Sequence, residues 1–382
     1  MVDGREGEAA ETMKSFELRF EEGAGPAWMA GRVATVFGEA GSIEGQSVAW
    51  SRESGAKTSV VAEVGGQLRC AFDARAALEV LRTESYREPA KPVTRFLPFH
   101  YHKVPGVLRI KIGQALAAME KPGFPAWPID PSGDALRWLL GERGGEWPGG
   151  KKFALVLSHD VDTADGMQFA PRLLDIEARH GVPAVYSLVT STYAIEKKFL
   201  RDVLAAGGEI AWHSDLHDNR IAFEDEPGIR CRIESARGFL EEFDVRGFRS
   251  PSLCRTPTLL RVAAERFTWD SSIPDTGPGG GCASVQPFLV GSMLEVPLTL
   301  PMDADLVFRR RDPKTWPDAW MEKARFIRDV GGCAVLCTHP ETHFSGHRAA
   351  WEAYDEFLKR VKELDPWICV PRAIAARTKE AA

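Results

Sequence analysis

From residue 153 onward, apolar positions gather into short unbroken runs, and the stretches between repeat apolar residues every three or four positions. Phe153–Leu157, Val182–Val189, Glu209–Trp212, Val245–Phe248, Phe267–Trp269, Ser292–Leu298 and Cys333–Cys337 read as strands. Pro171–His180, Glu196–Ala206, Ile229–Phe243, Pro257–Arg266, Pro317–Val330 and Arg348–Lys362 read as helices. Alternation of buried strands with helices predicts a parallel sheet covered by helices. Over this length a closed or distorted β/α barrel is expected rather than an open sheet.

The pattern before residue 150 is different. Ser15–Phe20, Lys57–Val64 and Gln67–Phe72 read as β-like runs, followed by helical patterns over Ala74–Thr83, Val107–Met119 and Asp134–Leu140. Gly123–Asp130 reads as extended linker, because each of its prolines disfavours helix for the residue before it. The turn-rich stretch ending at Gly150 marks a boundary. The expected organisation is a smaller α+β N-terminal region over 1–150, of unassigned role, followed by the barrel over 151–382. The pair His100-Tyr-His102 reads as structural.

Composition narrows the class. The 382 residues are 44% hydrophobic and 27% charged, with a net charge of −6. Acidic balance without a basic tract argues against a nucleic-acid partner. No run approaches the roughly 18 apolar residues of a membrane span, and the acidic N-terminus lacks the layout of a secretory signal. The seven cysteines are dispersed, with no C-x-x-C pair; Cys333 and Cys337 read as core thiols. These features together predict a cytoplasmic location.

The chemistry lies at the strand ends. The runs ending near 157, 212, 248, 269 and 337 are each followed at once by polar residues, and in a β/α barrel such positions converge on one mouth. His213 and His217, in His-Ser-Asp-Leu-His, can face the same way and bind one divalent metal. Ser158-His-Asp160-Val-Asp162 supplies carboxylates. One carboxylate and two histidines leave a metal with open positions, as hydrolysis requires. His159 reads as a packed core residue, Ser214 and Asp218 as acceptors behind the histidines, and Asp215 as solvent-facing. Trp316 and Trp320, at helical spacing, read as packing rather than sugar platforms. The glycine-rich stretch Asp275–Pro287 lacks the Lys-Ser/Thr of a phosphate cradle and reads as a mobile loop over the cleft.

Five segments in this order, Asp160-Val-Asp162, His213–His217, Arg249-Ser-Pro251-Ser252, Trp269-Asp270 and Thr338-His339-Pro340, resemble the motifs of the polysaccharide deacetylase family, with its NodB-homology catalytic domain. The likeness covers roughly residues 150–372, with a D-x-D variant of the first motif. It implies a distorted (β/α) barrel, a divalent metal, usually zinc, and removal of an acetyl group from a carbohydrate or glycoconjugate. By motif position it implies Asp162, His213 and His217 as metal ligands and Asp160 as general base. Arg249 would pair with the base, and the N–H of Ser252 would bind the oxyanion. Asp270 would orient His339, the general acid. Two departures stand out: Ser252 replaces a common aromatic, and Cys337 a common leucine of the acetyl pocket. They keep open another amide, formyl or cyclic as in allantoinase, on the same fold. A non-catalytic saccharide-binding protein is a third reading. His343 and His347 read as loop histidines.

Overall fold

The computed structural model describes residues 13–53, 56–89, 106–121, 123–142, 144, 146–277 and 279–381; His100 and His102 lie outside them. The chain divides into two compact units that interleave in sequence. Within the described residues, one holds 13–88 with 131–142, and the other holds 106–130 and the chain from 144 onward.

The smaller unit is built on a five-stranded antiparallel sheet. Its strands are β1 (Ser15–Phe20), β2 (Ala34–Phe37), β3 (Gln46–Glu53), β4 (Ala56–Val64) and β5 (Gln67–Cys70), in the order β2-β1-β3-β4-β5. Helix α1 (Ala74–Arg82) starts at Asp73, whose carboxylate accepts the N–H groups of Arg75 and Ala76. Leu18, Val36, Val60, Leu78 and Leu81 are fully buried in this unit.

The larger unit contains α2 (Gly106–Met119) and then a nine-stranded sheet whose main path is β11-β12-β10-β9-β8-β7-β6-β13. In chain order these are β6 (Ala154–Val161), β7 (Val185–Leu188), β8 (Glu209–Trp212), β9 (Gly247–Phe248), β10 (Trp269–Asp270), β11 (Phe288–Val290), β12 (Met293–Glu295) and β13 (Cys333–Thr338). A short β14 (Trp367–Ile368) pairs with the start of β6; the helices include α3 (Ser132–Leu139) in the smaller unit and α5 (Lys197–Ala205), α8 (Pro257–Ala263) and α10 (Trp316–Val330) in the larger. All neighbouring strands of this sheet are parallel except the β11–β12 hairpin. Beyond β12 the chain closes the curl: the N–H groups of Thr299 and Leu300 donate to the Val335 carbonyl, and the Thr299 hydroxyl accepts the Val335 N–H at 2.7 Å. The result is a distorted barrel. Every residue of β6, β7, β8 and β13 is buried, as expected of parallel strands covered on both faces.

Several element boundaries differ from expectation for identifiable reasons. Helix α4 (Ala164–His180) starts a full seven residues before Pro171, because Thr163 caps it by accepting the Gly166 N–H. The single helix expected over 229–243 is two, α6 (Glu226–Ser235) and α7 (Arg237–Glu242); the Ser235 hydroxyl donates to the Arg232 carbonyl at the break. Strand β12 stops before Pro297, which has no N–H to give. The described residues of the glycine-rich stretch are packed into the fold rather than laid over the cleft. Cys282, Ala283 and Val285 are fully buried, Cys333 donates its N–H to Val285, and Asp275 is ion-paired at 2.6 Å with the buried Lys323. A side chain at Gly281 would collide with the Asp275 carbonyl, so glycine there is a condition of close packing. Trp316 and Trp320 are buried against each other, ring centroids 5.8 Å apart, and donate to the Arg311 and Pro301 carbonyls. All seven cysteines are free thiols. Among the described residues no helix is long and apolar enough to cross a membrane.

Candidate active site

Asp162, directly after β6, and the loop after β8 bring three potential ligand groups together. His213 Nε2 lies 3.3 Å from Asp162 Oδ1, and His217 Nε2 lies 3.4 Å from Asp162 Oδ2. The loop carrying the histidines turns through Ser214 in a left-handed conformation, φ 69°, which lets it fold back over the strand end. His213 Nδ1 donates to the Arg249 carbonyl at 2.8 Å, which leaves Nε2 as the bare nitrogen facing Asp162. That carbonyl, rather than Ser214 or Asp218, is the acceptor behind His213. Asp162 Oδ1 is a buried oxygen with no hydrogen-bond partner. The Asp162 carboxylate and the two imidazoles form a group with the geometry to hold a metal ion, and their donor types are those of a divalent hydrolytic metal.

The loop is held from below by Arg232, largely buried at the end of α6. Its guanidinium donates to Asp215 at 2.6 Å, to Asp218 at 3.1 Å, to the Ser214 hydroxyl at 3.2 Å and to the Leu216 carbonyl at 3.1 Å. Asp215 therefore does not face solvent. Arg232 was not marked by any sequence motif; only its helical register beneath the loop gives it this place.

Asp160 is held on the same mouth by Arg249, which is 1% exposed. The guanidinium donates to Asp160 Oδ1 at 2.8 Å, to Ser158 Oγ at 3.0 Å, and to the carbonyl and hydroxyl of Ser271, both at 3.0 Å. Burial alone raises the Asp160 pKa, but Arg249, His213 and His339 outweigh it and bring the carboxyl down to about 2. Asp160 Oδ2 faces inward, 4.0 Å from His213 Nε2. Cys337 Sγ stands 3.4 Å from both that oxygen and the Arg249 guanidinium. Asp160, Cys337 and His339 also lie close enough to hold an ion. The guanidinium beside them, and a thiol whose pKa burial and Asp160 push far up, oppose a cation there.

His339 follows β13 and does not meet Asp270. The Asp270 carboxylate accepts from the Ser272 hydroxyl at 2.7 Å and pairs with buried Glu295. The carboxylate on His339 is Asp303, at the start of α9 (Asp303–Phe308). Its Oδ1 is 2.7 Å from His339 Nδ1, and its Oδ2 accepts the His339 N–H and the Ser345 hydroxyl. The carboxylate in contact with His339 is therefore Asp303, not the expected Asp270. Asp270 ends strand β10, where its side chain is consumed locally, whereas β12 and the closing segment carry Asp303 across to β13. Burial pushes the imidazole pKa down, yet Asp303, with Asp162 and Asp160, outweighs it and raises His339 to about 10.

The remaining predicted residues fall as follows. Ser252 lies on the tight turn Pro251–Leu253, exposed, with φ 50°. His159 points away from the mouth into a buried network: Thr338 Oγ1 at 2.7 Å and Glu177 Oε1 at 2.5 Å, with the Tyr186 and Tyr354 hydroxyls donating to the same carboxylate. His347 caps α11 (Arg348–Lys362) by accepting the Ala350 N–H. Glu341, two residues past His339, went unmarked in the sequence. Its Oε1 accepts the N–H groups of Asp162 and Thr163 and the Thr163 hydroxyl, at 2.9–3.1 Å. Burial and the Asp162 charge raise its pKa to about 8.

No family model matches the chain, and no curated protein matches it. Solved structures do. One described as a polysaccharide deacetylase from Mycobacterium smegmatis is 24% identical, with a TM-score of 0.53 over 63% of this chain and 94% of its own. Another, from Pseudomonas aeruginosa PAO1, is 16% identical at TM-score 0.51 over 60% and 92%. The allantoinase PuuE is 15% identical at TM-score 0.52 over 66% and 97%. The barrel of this chain thus has the fold of the polysaccharide deacetylases, the NodB-type distorted β/α barrel.

Proposed function

We propose that the chain is a divalent-metal-dependent hydrolase that removes an acetyl group, as the N-acetyl amide, from a carbohydrate or glycoconjugate. One observation carries the reading. A two-histidine, one-carboxylate cluster shares its mouth with a low-pKa carboxylate on one side and a protonated, carboxylate-backed imidazole on the other. Asp162, His213 and His217 would hold the ion, zinc by donor type. Bound there, it would supply Lewis-acid polarisation and lower the pKa of a water toward about 7.

The protein's own groups divide the proton traffic. Arg249 keeps Asp160 ionised, so its inward Oδ2 can take a proton from the attacking water. The Ser252 N–H is the proposed donor to the developing oxyanion. As the C–N bond breaks, His339, protonated at neutral pH and fixed by Asp303, gives its proton to the leaving amine. Acetate and the free amine are the products. A cytoplasmic location, the expectation from composition, directs the search to small glycosides, sugar nucleotides or lipid-linked saccharides rather than a cell-wall polymer.

A second reading keeps the chemistry and changes the amide. The fully buried Cys337 Sγ is engaged with Arg249 and Asp160, so the acyl pocket is shaped differently from one walled by leucine. The fold shared with an allantoinase makes formyl and cyclic amides the panel to compare. The test is release of acetate, formate or ring-opened product, with chelator, with zinc restored, and with His213→Ala. Chelation and His213→Ala are each expected to lower turnover by more than about 100-fold, beyond the effect of losing a supporting contact. Turnover indifferent to both would sink the metal mechanism; tight saccharide binding without any turnover would favour a binding protein.

A further inference from the structure

We infer that Glu341 forms a recognition subsite for the leaving-group sugar, accepting a hydrogen bond from one ring hydroxyl in a cavity beside the catalytic acid. The inference rests on the deacetylase reading above and narrows its leaving group to one that presents a hydroxylated ring. Its starting point is an asymmetry in one carboxyl group. Glu341 is 5% exposed, and Oε1 is saturated by the Asp162 and Thr163 N–H groups and the Thr163 hydroxyl. Oε2 is equally buried and has no hydrogen-bond partner. A buried acceptor left unmade is unfavourable, and a ligand hydroxyl in the adjoining cavity would supply the donor.

Glu341 lines a cavity of about 270 Å³, with Thr163, Arg109, His343, Ile110 and Phe344 among its walls. That volume is just under the roughly 300 Å³ at which pockets for drug-sized ligands begin, which suits one sugar ring. Its lining has the two characters that a pyranose presents. Ile110 and Phe344 offer apolar surface for a ring face, while Glu341 and Arg109 offer an acceptor and donors for hydroxyls. The cavity also adjoins the chemistry on the correct side. Phe344 packs on the His339 ring, centroids 5.4 Å apart, and His339 protonates the leaving amine. The carboxyl is fixed in place rather than placed by chance. Gly166 leaves the space it occupies, since a Cβ there would collide with Oε1, and the Phe344 N–H returns to the Glu341 carbonyl at 2.9 Å.

Glu341→Gln is the diagnostic change. Its carbonyl oxygen can keep the Asp162 and Thr163 bonds, while an N–H₂ donor replaces the outer acceptor. The probes are N-acetylglucosamine and its 3-, 4- and 6-deoxy analogues, titrated onto zinc-loaded protein carrying Asp160→Asn, which cannot turn them over. In that background one deoxy analogue is expected to bind about 10-fold more weakly than the parent sugar, the loss for one hydrogen bond. Adding Glu341→Gln should abolish that one difference, with zinc content and melting temperature unchanged. No saturable binding of any probe, or equal weakening of all four by Glu341→Gln, overturns the inference. Sugar binding with the expected discrimination but no acyl release by the wild type would instead count against the deacetylase reading alone.

Discussion

His339 shows how one side chain's role depends on a carboxylate that lies far from it in sequence. Its folded pKa of about 10 lies above the unfolded histidine value near 6.5. The ion pair with Asp303 therefore contributes its full stability below about pH 6.5, and that contribution is lost as pH rises through about 10. The same sign would govern the proposed catalysis, because a general acid acts only while protonated. Asp303→Asn keeps a side chain of the same shape but removes the leading influence that raises the imidazole. The alkaline limb of the kcat–pH profile is expected to move to lower pH by about one unit or more, with activity partly retained at the acid end. Asp270→Asn, which removes a charge not in contact with His339, should leave that limb in place. A uniform fall across all pH values for Asp303→Asn would reduce Asp303 to a packing role.

At the scale of elements, the site is a set of loops, each held by a partner from elsewhere in the chain. The histidine loop after β8 depends on Arg232 of α6, whose guanidinium serves Asp215, Asp218, Ser214 and the Leu216 carbonyl together. Arg232→Met keeps much of the apolar stem and strands two largely buried carboxylates, a change expected to destabilise the protein by about 3 kcal/mol. Because His217 rides on that loop, zinc affinity should fall by at least about 10-fold. Chemical denaturation and competition with a chromophoric chelator measure the two effects separately; unchanged zinc affinity would mean that the His213–Arg249 contact alone sets the ligand geometry. The residues that gather at the mouth were legible in the sequence, because an apolar run followed by Asp, His or Arg marks a strand delivering that side chain to the barrel mouth. Asp303 was not legible. It lies 36 residues from His339, behind a closing segment with no repeating pattern, and nothing local distinguishes it from Asp305. The glycine-rich stretch misled for the opposite reason: small residues permit tight burial as readily as motion, and only the contacts with β13 and Lys323 decide which.

For the whole molecule, closure of the barrel and assembly of the site are one event. The segment that carries Thr299 and Leu300 onto β13 also delivers Asp303 to His339, while β6 and β13 lie side by side and bring Asp160, Asp162 and His339 to one end. Asp162, His213 and His217 come from two separate strand ends, so an unfolded chain has no preformed site, and metal affinity becomes folding stability. Zinc at about 100 times its Kd is expected to stabilise the fold by about 2.7 kcal/mol, a rise in Tm of about 5 °C or more for a unit of this size. Thermal unfolding with and without zinc measures it, and His217→Ala, which removes one ligand, should erase most of the rise. The imidazoles must be neutral to ligate; burial lowers the His213 pKa, but Asp160 and Asp162 outweigh it and raise it, so the zinc-dependent shift should start to shrink, as pH falls, above the ordinary histidine range near 6.5. A shift that survives His217→Ala, or that is independent of pH across that range, would place the bound ion somewhere other than the Asp162, His213 and His217 cluster.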